Sequence, residues 1–264
     1  MKIKDVIHAL ERFAPLPLQE DYDNAGLQVG LTEAEVSGVL LCLDVTEQVI
    51  NEAEEKGCNM IVSHHPLIFR KLACISDCND VQRCVFKAIQ RGITIVSMHT
   101  NLDSAEGGVN YMIARQLDIT HSSITQIGNQ QDAEGVKGSN GIIGELSEPI
   151  SAKDYIYKVK NIFNAGCVMT NELLTRPIKK IAICGGAGSF MLHEAIKAGA
   201  DAFLTGEMHY HDYFGHEDEI QITVIGHYES EQYTKELLAE IIGKTCPDVR
   251  TVITAHNTNP IRYW

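Results

Sequence analysis

Apolar residues recur at helical spacing at Ile3, Val6, Ile7, Leu10 and Phe13, which predicts an amphipathic first helix packed on the body of the protein. Further along, the pattern changes to short unbroken apolar runs. Val39 to Leu43, a capping Thr46, a helical stretch from Glu47 to Lys56, Gly57 and a second run from Met60 to Val62 read as strand, helix, strand. From Lys180 the same order returns: Ile181 to Cys184, a glycine-rich turn, a helical stretch from Phe190 to Ala198, Gly199, then Ala202 to Leu204. Aligning Gly57 with Gly199, 142 positions on, also superposes Cys42 on Cys184 and Ala53 on Ala195, and it puts His64 and His65 opposite Gly206 and Glu207.

A second echo comes after each unit. Ile93 to Val96 leads into His99, and Ile222 to Ile225 leads into His227; four residues beyond each histidine stands a carboxylate, Asp103 in one case and Glu231 in the other. Parallel strands present their functional loops at their carboxyl ends, and His64, His65, His99, Glu207 and His227 all fall at or just past such ends. Neighbouring side chains on a strand point to opposite faces, so His64 and His65 are expected to splay apart and to suit two metal ions rather than one. Glu231 is expected near the start of a helix from Ser230 to Ile242, where a carboxylate is also electrostatically favoured.

Between the repeated units, residues 126–141 are rich in Gly, Asn and Gln and predict a loop and a domain boundary. Ile142 to Leu146 reads as a strand, Ser151 to Asp154 as a cap opening a helix to Phe163, and Val249 to Thr254 as a final strand. The expected organisation is two related α/β lobes, the first from 1–125, completed by 228–264, and the second from 126–227.

Composition narrows the partners. Basic residues number 22 against 35 acidic ones, a formal charge of -13, and no basic cluster stands out, which argues against nucleic acid as a general partner. No apolar run approaches the roughly 18 residues of a membrane helix, and Lys2, Lys4, Asp5, Glu11 and Arg12 interrupt the first segment, so neither a signal peptide nor a membrane span is expected. The eight cysteines form no CxxC pair or secreted framework, which points to a reduced, cytoplasmic setting.

The chemistry-bearing residues are His64, His65, Asp103, His227 and Glu231, with His99, Glu207, His209 and His211 nearby in sequence. Imidazole and carboxylate donors suit zinc, iron, manganese, cobalt or nickel, whereas a structural zinc knot would draw on thiolates. A carboxylate such as Glu231 can bridge two ions about 3.5 to 4 Å apart, an arrangement that activates water near neutral pH and stabilises an oxyanion. Gly185 to Ser189 lacks a P-loop lysine and reads as a tight strand-to-helix turn, and Ser63 and Ser97 lack a nucleophile elbow.

The strings Ser63 to Phe69 (SHHPLIF), His99 to Asp103 (HTNLD), Gly206-Glu207 and His227 to Glu231 (HYESE), with Tyr22 to Gly30 upstream, resemble the GTP cyclohydrolase 1 type 2 homologue family, also called NIF-three-like. The resemblance spans nearly the whole chain. It implies two α/β lobes with a dinuclear metal site in the cleft between them, carried onto His64, His65, Asp103, His227 and Glu231. Glu231, His99 and Glu207 are the expected proton-transfer residues. It further implies two divalent metal ions per subunit, a ring-shaped homohexamer, and a small anionic substrate as a further partner. The expected activity is metal-dependent hydrolysis of a nucleotide or cyclic amide. The alternative with the same ligands is a metal-handling or regulatory protein that stores, delivers or senses ions. Only 119–179 separates the repeated units, too short a span for the extra domain that some relatives carry there.

Overall fold

Parallel strands covered on both faces require unbroken apolar runs, and β2 (Val39–Cys42), β3 (Met60–Ser63) and β4 (Thr94–Ser97) are buried at every residue. The computed structural model describes residues 1–264 and divides into two units. The first comprises 1–105, 133–136 and 234–260, and the second 106–132, 137–233 and 261–264.

In the first unit β1 (Gly26–Val29), β4, β3, β2 and β11 (Thr251–Ile253) form one sheet in that order. All are parallel except β1, which runs antiparallel to β4 at the edge. The register pairs Cys42 with Ser63 and Ser63 with Ser97, so β2, β3 and β4 end level with one another. Helix α1 (Ile3–Phe13) buries Ile3, Val6, Ile7 and Leu10 as expected, with Ala9 beside them, while Phe13 at its end is only half-buried. Helix α2 (Glu47–Glu55) is capped by Thr46, whose hydroxyl accepts from the Val49 N–H at 3.3 Å, and α3 (Asp80–Gln90) is capped by Asn79. Ile50, Ala53, Val85 and Ala88 of these helices pack with Leu40, Ile61 and Ile95 of the sheet. Helices α4 (Thr100–Ser104) and α9 (Thr234–Thr245) complete the unit.

The second unit has a six-stranded sheet in the order β5 (Thr125–Ala133), β6 (Val136–Ile150), β8 (Ile178–Cys184), β9 (Ala202–Thr205), β10 (Gln221–Val224) and β7 (Met169–Thr170). Strands β8, β9 and β10 are parallel and again end level, Cys184 opposite Thr205 and Thr205 opposite Val224. Helix α5 (Val109–Gln116), α6 (Ala152–Ile162), α7 (Leu192–Lys197) and α8 (His227–Glu231) belong to it. Ser151 caps α6 through the Asp154 N–H at 3.1 Å, as its sequence predicts. The repeat at an offset of 142 is visible in three dimensions: β2, α2 and β3 match β8, α7 and β9, and the paired residues Ala53 and Ala195 are both fully buried.

Three expectations are corrected. Residues 126–141 are not a loop but most of the β5–β6 hairpin. Their polar character reflects an exposed edge strand, whose backbone pairing needs no apolar side chains, and the Glu134-Gly135 turn has positive φ at both residues (55° and 81°), as tight hairpins require. The stretch from Phe190 to Ala198 begins with a 3-10 turn at Ser189–Met191 before α7. The helix expected from Ser230 to Ile242 is broken: α8 ends at Glu231 and α9 begins at Thr234, with the Gln232 side chain bonded to Phe163 O at 2.9 Å and the Tyr233 hydroxyl to Ile162 O at 2.8 Å. Glu231 therefore closes a helical turn instead of opening one. No helix is long and apolar enough to cross a membrane.

Candidate metal centre

The level ends of β3 and β4 place His64, His65 and His99 on one edge of the first unit. Contrary to the expected splay, their rings gather: the His64 and His65 centroids are 4.9 Å apart, and that of His99 lies 5.3 and 5.5 Å from them. Strand alternation stops at Ser63, because the His65 carbonyl turns inward to within 2.8 Å of the Ser63 hydroxyl and 3.1 Å of the Ser97 hydroxyl. Pro66 comes next, and it cannot prolong the ladder.

Each imidazole is held through Nδ1. His64, fully buried, donates to the Met98 carbonyl at 2.8 Å; His65 is bonded to Asp44 Oδ1 and His99 to Asp23 Oδ1, each at 2.7 Å. A carbonyl can only accept, so His64 carries its proton on Nδ1 and offers a lone pair at Nε2. One ligand atom from each of the three rings lies within 4.8 Å of the others. Asp103 of α4 brings Oδ1 to 3.5 Å from His64 Nε2.

Burial pushes the Asp23 carboxyl up, but hydrogen bonds from His99 and Thr100 outweigh it and hold its pKa at about 2. Asp44 is likewise raised by burial and lowered more by His65 and Thr258, so it too lies below the usual carboxylate range. Both remain anions that orient imidazoles, an arrangement common behind metal-bound histidines.

In the second unit α8 comes directly after β10 and carries His227 and Glu231 one turn apart, with His227 Nε2 3.1 Å from Glu231 Oε2. Glu207, just past the end of β9, meets His227 Nδ1 at 2.8 Å. Glu231 is only 3% exposed. It reaches this position because Gly186, at φ 59°, has no side chain: a Cβ there would run into the Glu231 carboxylate. The Gly186 N–H also donates to the Ser230 hydroxyl at 3.0 Å, which ties the glycine turn to α8.

His64, His65, His99 and Asp103 are thus brought together in the first unit, and His227, Glu231 and Glu207 in the second. His209 and His211 line a different cavity of the second unit, about 510 Å³, with His193 and His216. Sequence reading had no signal for the Met98 carbonyl and assigned no role to Asp44 or Asp23. Asp44 was discoverable in principle, since it stands two residues past β2 at the carboxyl edge that carries the histidines.

The donor set is nitrogen and oxygen with no thiolate, and the Nε2 atoms sit on rings already oriented from behind, which fits a first-row divalent cation. Fold and site together define a two-sheet α/β protein with histidine-carboxylate groups able to bind metal. The chain belongs to the Duf34/NIF3 (NGG1p interacting factor 3) family, whose sequence profile matches residues 1–260. It is 36% identical over 233 residues to the GTP cyclohydrolase 1 type 2 homolog of Clostridium acetobutylicum, covering 88% of this chain and 85% of that one. It is 33% identical to the protein of the same name from Clostridium perfringens across the full length of both. Among solved structures, Staphylococcus aureus protein SA1388 superposes with a TM-score of 0.90 at 30% identity, covering 100% of this chain and 99% of that chain.

Proposed function

We propose that the protein is a dinuclear metal-dependent hydrolase acting on a nucleotide or cyclic amide, in which His64, His65, Asp103, His227 and Glu231 are the ligands of two divalent ions. The observation that carries this reading is the gathering of three imidazoles, each fixed through Nδ1, with ligand atoms within 4.8 Å of one another. Two cations held by these residues would lower the pKa of water and offset negative charge developing on a substrate.

The remaining roles fall to side chains. Asp23 fixes the His99 ring through Nδ1 and leaves its Nε2 as the atom at which that ring would move a proton. Glu207 orients His227, and the buried Glu231 serves as ligand and proton acceptor. Opening the guanine imidazole ring of GTP with release of formate is the first reaction to assay, given the names of the relatives. We further infer a ring-shaped homohexamer in the cytoplasm, on the family resemblance and the cysteine usage, to be checked by light scattering of the purified protein.

The test is elemental analysis of tag-free protein and then assay of formate release. Two metals per chain, turnover of GTP or a cyclic amide, and at least a 100-fold loss of kcat in Glu231→Gln at full metal occupancy are expected. Tight metal binding with no turnover of any nucleotide or cyclic amide, and rapid transfer of the metal to an apo acceptor, would instead establish a metal-handling role.

A further inference from the structure

His65 and its partner Asp44 open onto a cavity of about 710 Å³ in the first unit, within the size range of small-molecule sites. Its wall also carries Arg83 and Lys87 of α3 and Glu47 of α2. These three form one cluster: Arg83 Nε donates to Glu47 Oε1 at 2.9 Å and Lys87 Nζ to Glu47 Oε2 at 3.2 Å. One carboxylate therefore bridges two cations, and the cluster keeps a net positive charge in an otherwise acidic protein.

The bridge is a weak one. Arg83 is 43% and Glu47 37% exposed at the side chain, and ion pairs of that exposure contribute about 0 to 1 kcal/mol. A phosphoryl group brings up to two charges and three acceptor oxygens, which suit the flat fork of a guanidinium and the three hydrogens of an ammonium better than one carboxylate does. Two further carboxylates share the cavity. Asp44 is occupied by His65 and Thr258, and Asp80 sits in the first turn of α3, where the helix terminus partly offsets its charge.

We propose that this cavity is the substrate-anchoring subsite, in which Arg83 and Lys87 exchange Glu47 for a phosphoryl group while the reacting end lies against His65. The substrate class is then a phosphorylated one, a nucleotide or sugar phosphate, and not an uncharged cyclic amide. Only the identity of the reacting end rests on the hydrolase reading; the anion subsite is argued from the cavity and its charges alone.

The full-length protein as purified is titrated with inorganic phosphate by calorimetry at low ionic strength, and GTP and guanosine are then compared as substrates. Arg83→Gln and Lys87→Gln are each expected to weaken phosphate binding at least tenfold, whereas Glu47→Gln, which frees both cations, tightens it at least threefold. A gain of binding cannot come from misfolding, so the Glu47 variant keeps the test decisive. For turnover, Arg83→Gln raises KM for GTP tenfold or more with little change in kcat. Phosphate affinity unmoved by all three substitutions, or no phosphate binding by either wild type or Glu47→Gln, overturns the subsite. If phosphate binds as described and no substrate is turned over, the subsite stands and the hydrolase reading falls. If GTP is hydrolysed with KM unmoved in Arg83→Gln, the hydrolase reading stands and the subsite falls.

Discussion

Nδ1 of His65 lies 2.7 Å from Oδ1 of Asp44, whose other oxygen accepts from the Thr258 hydroxyl at 2.6 Å. The carboxylate is thus fixed from one side by the C-terminal segment of the first unit and itself fixes the ring from the other. Asp44→Asn keeps the shape and removes the charge. It is expected to lower divalent-metal affinity 10- to 100-fold, measured by competition with a chromophoric chelator, while the thermal midpoint moves by no more than a few degrees. Wild-type affinity in that variant would mean that His65 is not a ligand oriented by Asp44.

Gly186→Ala forces a side chain into the left-handed region and against the Glu231 carboxylate. The backbone strain costs about 1 to 2 kcal/mol, visible in urea unfolding. Gly199→Ala is the control, since Gly199 has φ 74° and open space where a Cβ would go. Both variants carry the backbone cost, but only the first adds the collision with Glu231 and should lose metal. Equal metal contents in the two would separate the glycine turn from the site.

Asp201 supplies a pH-dependent test of the second unit. Burial raises its pKa, but the N–H groups of Lys180 and Lys179, at 2.8 and 3.0 Å, and the Arg176 guanidinium lower it further, to a net position below 3.8. A carboxyl depressed in the folded state stabilises above its unfolded pKa, and that contribution disappears as pH falls through the folded value. Asp201→Asn should therefore be less stable by about 1 to 3 kcal/mol at pH 7, with the gap closing below pH 4. A gap independent of pH would show that the charge contributes nothing.

Thiol labelling reads the burial of both units at once. Cys74, Cys78 and Cys167 are exposed, whereas Cys42, Cys58, Cys84, Cys184 and Cys246 are buried. Burial also raises the thiol pKa of Cys84 to about 11 and that of Cys42 further still, which suppresses the reactive thiolate. Iodoacetamide at neutral pH should modify the three exposed residues within minutes and spare the other five until denaturant is added, as monitored by mass spectrometry. Early labelling of Cys42 would contradict the packing of β2.

What could be read from the residues alone was whatever is decided locally. Thr46 and Ser151 cap helices because a hydroxyl needs only the N–H three residues on, and the strands of Val39, Met60 and Ala202 declare themselves by burial on both faces. Histidines at strand ends were legible for the same reason: parallel topology fixes where those ends lie. The β5–β6 hairpin was not, because an edge strand buried at only two of its nine residues has no hydrophobic period to display. Nor was the break after Glu231, which depends on Phe163 and Ile162, about seventy residues away. The inward turn at His65 depends on Ser97 of a neighbouring strand, and the anchoring of the rings depends on Met98, Asp23 and Asp44, none of which announces its partner in the linear order.

Asp103 and Glu231 each stand four residues after a histidine, on a single helical turn just beyond a parallel strand. Each residue added to such a turn swings the later side chains by about 100° around the axis. Over evolutionary time these two five-residue stretches should therefore accept changes of letter far more readily than changes of length. A duplication that kept both spacings while exchanging aspartate for glutamate is the kind of divergence this geometry leaves open.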